Sequence, residues 1–82
     1  MKDYEMIKDL LESKDEEMNL LGLSYYCQAI GKEGITLDQL RDMAKYNELG
    51  EYLLDEDKEV GELTLLVWSK IDPIYKNAKV LL

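Results

Sequence analysis

An all-α fold is what this sequence of 82 residues predicts: a compact array of four to five short helices forming a single domain over residues 1–82. Three observations carry that reading. Apolar residues recur at the i, i+3, i+4 spacing of amphipathic helices through most of the chain. Helix-start chemistry stands at "SKDE", at "TLDQ" and at Asp72-Pro73. No long linker, internal repeat or low-complexity tract separates the segments, so one packed body is the economical arrangement.

Residues 3–12, "DYEMIKDLLE", place Met6, Ile7, Leu10 and Leu11 on one face and charges on the other, which predicts the first helix. "SKDE" at 13–16 has the form of a capping box, with Ser13 accepting from the amide of Glu16 while Glu16 reaches back, and so marks a helix–helix corner. The segment that follows, "EMNLLGLSYYCQAIG", leaves hardly any polar stripe. A helix apolar on nearly all sides is surrounded by protein, so this second helix is expected at the centre. Gly31 suits the left-handed residue after its end.

"ITLDQL" is the clearest local signal. Thr36 and Gln39 have capping-box spacing, and Ile35 and Leu40 occupy the two positions of a hydrophobic staple. The third helix should start at Leu37, turn Leu37, Leu40, Met43 and Ala44 inward, run to about Leu49 and stop at Gly50. "EYLL" reads as one short turn. In "KEVGELTLLVWSKI", Val60, Leu63, Val67 and Ile71 repeat at helical spacing although "LTLLVW" is rich in strand formers, and helix is the favoured reading. Proline disfavours helical geometry in the residue before it and fits the first turn of a helix, so Asp72 should cap a last short helix over about 73–79. The three apolar residues Val80, Leu81 and Leu82 then either fold back onto the core or meet another chain.

Composition narrows the function by exclusion. The longest uninterrupted apolar stretch, residues 65–68, has four residues, whereas a membrane span needs about 20. The opening "MKDYEMIKDLL" interrupts its apolar residues with charge, unlike a secretory signal, and a reducing cytoplasm is the expected location. Cys27 is the lone cysteine and there is no histidine, which removes an intramolecular disulfide and a mixed Cys/His zinc site. Without histidine, acid–base catalysis would need carboxylates of shifted pKa, and no spacing singles out such a pair. No phosphate loop is present, "GKEG" being too short, and no cofactor is expected. The chain is read as a non-enzyme. Ten basic residues against eighteen acids fit poorly with direct binding to a phosphate backbone. Nine lysines to one arginine resemble the output of an AT-rich coding sequence, as in low-GC bacteria and their bacteriophages.

The charge is uneven. The whole chain carries −8, and residues 48–62 hold seven acids and one lysine. Carboxylates at a helix N-terminus bond free amides and complement the dipole, each worth about 0.3–1 kcal/mol. That accounts for two or three of Asp55, Glu56, Asp57 and Glu59, but not for Glu48, Glu51 and Glu62. Such a cluster attracts a basic surface and speeds association. Tyr46 and Tyr52 flank it, either as aromatic anchors of an interface or as amphipathic rings rimming a thin core.

A calcium loop is the remaining metal reading. Asp55 and Asp57 would open one, but its sixth position is Val60 and its twelfth Leu66, where glycine and glutamate are needed. "KEGITLDQL" resembles the exit half of an EF-hand over nine residues. The upstream ligand positions hold Gln28, Ile30 and Lys32, so its chemistry is read as helix capping. The expected function is a small acidic protein-binding module, a phage-type regulator or inhibitor docking Glu48, Glu51, Asp55, Glu56, Asp57, Glu59 and Glu62, with Tyr46 and Tyr52, on a basic surface of a nucleic-acid-handling protein. The competing class is an assembly subunit that homo-oligomerises through Val80, Leu81 and Leu82 together with its exposed tyrosines. A degenerate metal-responsive module is the remote third.

Overall fold

The computed structural model describes residues 3–71. Five helices follow one another in the order α1 (Tyr4–Glu12), α2 (Glu16–Ala29), α3 (Leu37–Lys45), α4 (Gly50–Leu53) and α5 (Lys58–Lys70), with no strand among the described residues. The all-α expectation therefore holds, and "LTLLVW" is helical. The expected helix over 73–79 and the apolar residues 80–82 lie outside the described residues.

α1 buries Ile7 and Leu11, while Met6, expected inward, is 43% exposed. The corner to α2 falls where expected but is built differently. Asp15, not Ser13, is the N-cap: its Oδ1 accepts from the Glu17 amide at 3.0 Å, and Ser13 Oγ accepts from the Asp15 amide at 3.1 Å. A carboxylate next to the helix offers its dipole a full charge, which leaves the hydroxyl two residues outside. The other half of the corner is Asn19. Its Nδ2 donates to the carbonyls of Leu10 (2.9 Å), Leu11 (3.3 Å) and Ser13 (2.8 Å), tying the carbonyls at the end of α1 to a side chain of α2. Where the two helices cross, a Cβ on Gly22 would lie 2.9 Å from Leu10 Cβ and 3.1 Å from the Leu11 nitrogen, so the approach depends on a residue without a side chain.

α2 and α3 end in the same motif. At the first, Gly31 (φ 76°) is left-handed, its amide donates to Gln28 and the Lys32 amide to Cys27 at 2.8 Å. At the second, Asn47 (φ 63°) takes that place, donating to Ala44, while Glu48 donates to Met43 at 2.8 Å. α3 thus stops at Lys45 rather than near Leu49, and Gly50 is the first residue of α4 rather than a terminator. Asparagine tolerates the left-handed region because its short polar side chain bonds locally, so the helix ended before the glycine was reached. The start of α3 is as expected: Gln39 donates its amide to Thr36 Oγ1 at 3.2 Å and Thr36 donates to Gln39 Oε1 at 2.7 Å.

The central helix is α5, not α2. It packs against α1, α2 and α4, and its Leu63, Thr64, Val67 and Trp68 are each at most 1% exposed. On α2, by contrast, Met18, Leu20 and Leu21 are 41–45% exposed. Its apolar circumference exceeds what its neighbours cover, and Gly22, Leu23, Tyr26 and Cys27 supply its buried face. α5 carries Val60, Leu63, Val67 and Ile71 inward as expected. Thr64 is buried in the core among apolar side chains, and its Oγ1 donates to the Val60 carbonyl at 2.8 Å. With that proton committed, Tyr26 donates its hydroxyl proton to Thr64 Oγ1 at 2.7 Å.

Candidate functional site

Between the end of α3 and the start of α5 the backbone turns through successive i→i+3 bonds. Gly50 donates to Asn47, Glu51 to Glu48, Tyr52 to Leu49, Leu54 to Glu51 and Asp55 to Tyr52, at 3.0–3.3 Å. In i→i+3 winding, side chains three apart eclipse one another. One row therefore carries Glu48, Glu51 and Leu54, all exposed, and an adjacent row carries Leu49, fully buried, and Tyr52, half-buried against the core.

The nine sequence-derived residues divide accordingly. Glu48, Glu51 and Glu56 are exposed and their carboxylates take no hydrogen bond or ion pair among the described residues. Asp55 is exposed but its Oδ1 accepts from the Asp57 amide at 2.9 Å. Asp57 is the N-cap of α5, accepting from the Glu59 amide at 2.9 Å, and both it and Glu59 are half-buried in the first turn. Glu62 Oε2 accepts from the Tyr4 hydroxyl, tying α5 to α1. This bond, partial desolvation and the negative charges of Glu62, Glu5 and Glu59 push the Tyr4 pKa up to about 12. Tyr46 is 67% exposed, with Lys45 Nζ 5.6 Å from its ring centroid, whereas Tyr52 packs against the core. The helix-end account thus fits Asp55, Asp57 and Glu59. The outward carboxylates are Glu48, Glu51 and Glu56, with Tyr46 beside them in sequence.

Two apolar residues, one in this row and one on α5, fall outside the sequence-derived set. Leu54 is 79% exposed and Leu65 is 49% exposed, and they line one open groove between α4 and α5 with Leu53, Asp55, Lys58, Gly61 and Glu62. A signal was present for each. "YLL" in a single turn cannot turn every apolar residue inward, and Leu65 falls off the stripe made by Val60, Leu63, Val67 and Ile71.

Elsewhere the chemistry is sparse. Cys27 is 4% exposed, and burial pushes its thiol pKa up, which opposes formation of the reactive thiolate. It lines a small apolar cleft of about 80 Å³ between α2 and the start of α3, with Leu20, Leu23, Ile35 and Leu40. Among the described residues no group of three or more cysteine, aspartate or glutamate side chains is arranged to hold a metal ion. No helix among them is long and apolar enough to cross a membrane. No protein-family model matches the chain, and no curated protein or solved structure matches it either.

Proposed function

We propose that this protein is a binding module that presents Glu48, Glu51 and Glu56, with Tyr46 and Leu54, to a basic surface of another protein, and that its role is regulation or inhibition of that partner. The observation that carries the reading is the set of carboxylates on the 46–57 segment, exposed and without side-chain partners at Glu48, Glu51 and Glu56 among the described residues. Unpaired surface carboxylates concentrated in one segment create a field that steers an oppositely charged partner. A nucleic-acid-handling enzyme, whose substrate channel must be basic, is the class of partner such a field fits.

The test is reversal of Glu48, Glu51 and Glu56 to lysine, three positions whose side chains make no hydrogen bond among the described residues, followed by affinity capture from the native host. The partner should be captured by the natural chain at low salt, weakened by added salt, and lost with the triple variant. Capture of the same partner by the variant, with unchanged salt sensitivity, refutes the proposal.

The exposed Met18, Leu20 and Leu21 of α2 favour a second reading, an assembly subunit, to which residues 80–82 would contribute. Light scattering over a dilution series separates the two: the binding module stays a monomer, and the subunit associates as concentration rises.

A further inference from the structure

The groove between α4 and α5 combines apolar walls with a charged rim of two acids, Asp55 and Glu62, and one lysine, Lys58. Its walls are Leu53, Leu54 and Leu65. At Gly61 the two helices meet so closely that a Cβ would lie 3.1 Å from the Leu53 carbonyl oxygen, so the floor of the groove is bare backbone. Its volume is about 350 Å³. Glu62 on its rim is engaged by Tyr4, and the negative charge unpaired among the described residues is that of Glu48, Glu51 and Glu56 on the same acidic segment. Leu54 is the most exposed of the large apolar side chains among the described residues. A leucine held in water beside a carboxylate row is matched by a partner that supplies an apolar side chain and a positive charge at neighbouring positions.

We infer that the groove is the seat of a basic amphipathic helix of a partner protein, whose apolar face covers Leu54 and Leu65 and whose lysines or arginines face the carboxylates of the 48–62 segment. This rests on the docking function proposed above and adds to it the form of the partner. A helix laid in a groove places apolar anchors at i, i+3 or i+4, and its flanks are free to carry charge. A second copy of this chain is disfavoured by charge, because two-fold pairing through this face would set the same carboxylates against each other.

The experiment is an amide-resolved NMR titration of the full chain with two synthetic peptides of equal positive charge. One is a leucine–lysine helix, and the other has serine in place of every leucine. The leucine peptide should bind about ten-fold or more tightly than the serine peptide, the size of a well-packed apolar anchor, and shift the amides of Leu53, Leu54, Gly61 and Leu65. Leu54→Ser with Leu65→Ser should remove that advantage and leave the serine peptide's weaker binding unchanged. Both leucines are substantially exposed, so the double variant keeps the fold.

Equal binding of the two peptides, an advantage that survives the double variant, shifts confined to the cleft between α2 and α3, or no binding of either peptide overturns the inference. Contacts from the Leu54 and Leu65 methyl groups to residues 72–82, or to a second copy, in the free chain also overturn it. Reversal of Glu48, Glu51 and Glu56 keeps the two ideas apart. If the peptides bind equally and reversal abolishes both, the groove fails and the acidic docking surface stands. If reversal changes neither, the docking surface fails.

Discussion

Tyr26 is fully buried and its hydroxyl donates to Thr64, which donates in turn to Val60. Burial is the largest influence on its pKa and pushes it up from 10.0, only partly opposed by the bond to Thr64. Tyr4 moves the same way, to about 12. Both groups hold their protons more tightly when folded than when unfolded, so the folded state binds more protons above pH 10. Their contribution to stability is complete below the unfolded value near 10 and is lost as pH rises through the folded values. The expected result is an unfolding midpoint in urea that falls steadily as pH is raised above about 10. Trp68, the single tryptophan and 1% exposed, reports it by fluorescence. Tyr26→Phe should cost about 1 kcal/mol at neutral pH, one net buried hydrogen bond. It should also flatten the alkaline fall, and an equally steep fall in the variant would show that Tyr26 does not cause it.

Helix ends make the sharpest test at the scale of elements, because two stretches with the same S/T-x-x-E/Q pattern behave differently. Thr36→Ala should cost about 1 kcal/mol by removing a true N-cap, and so should Asp15→Ala. Ser13→Ala, which touches only a turn outside α2, should cost less than half as much in the same thermal melts. How far the elements were legible follows the same division. Thr36 and Gln39 were readable because nothing nearby competes for the amides, whereas Ser13 was misread because Asp15 competes and wins. The end of α3 was misplaced because an asparagine did what a glycine was expected to do. The helical stripe of α5 was plain in Val60, Leu63, Val67 and Ile71, but its central position was not, since periodicity reveals which face is buried and not which helix has most neighbours. In the candidate site the acidic segment was visible as a run of letters. That Glu62 is engaged depends on Tyr4, 58 positions away, and no local pattern shows it. Leu54 and Leu65 each sit where an inward direction is unavailable, but a single exposed leucine is common on any surface, and that the two meet in one groove depends on how α4 packs on α5.

The described body measures 28 × 27 × 22 Å, with a radius of gyration of 11.4 Å, close to the value of about 11–12 Å that scaling gives for a compact chain of this size. A net charge of −8 on so small a body repels itself. Raising sodium chloride from about 0.01 to 1 M shortens the screening length from about 30 to 3 Å, and the thermal midpoint should rise over that range. A midpoint that falls would mean that attractive ion pairs outweigh the repulsion, and would weaken the case for an uncompensated acidic surface. The placement of α5 has a consequence for how the body is made. The helix that organises the core comes after the three it packs against, so during synthesis the faces of α1, α2 and α4 that it covers stay uncovered until residues 58–70 leave the ribosome. Until then α1 and α2 are held by their mutual corner at Asn19 and Gly22, with α3 laid against α2 at Leu40, and a stall in translation before residue 58 would release a sticky fragment rather than a smaller protein.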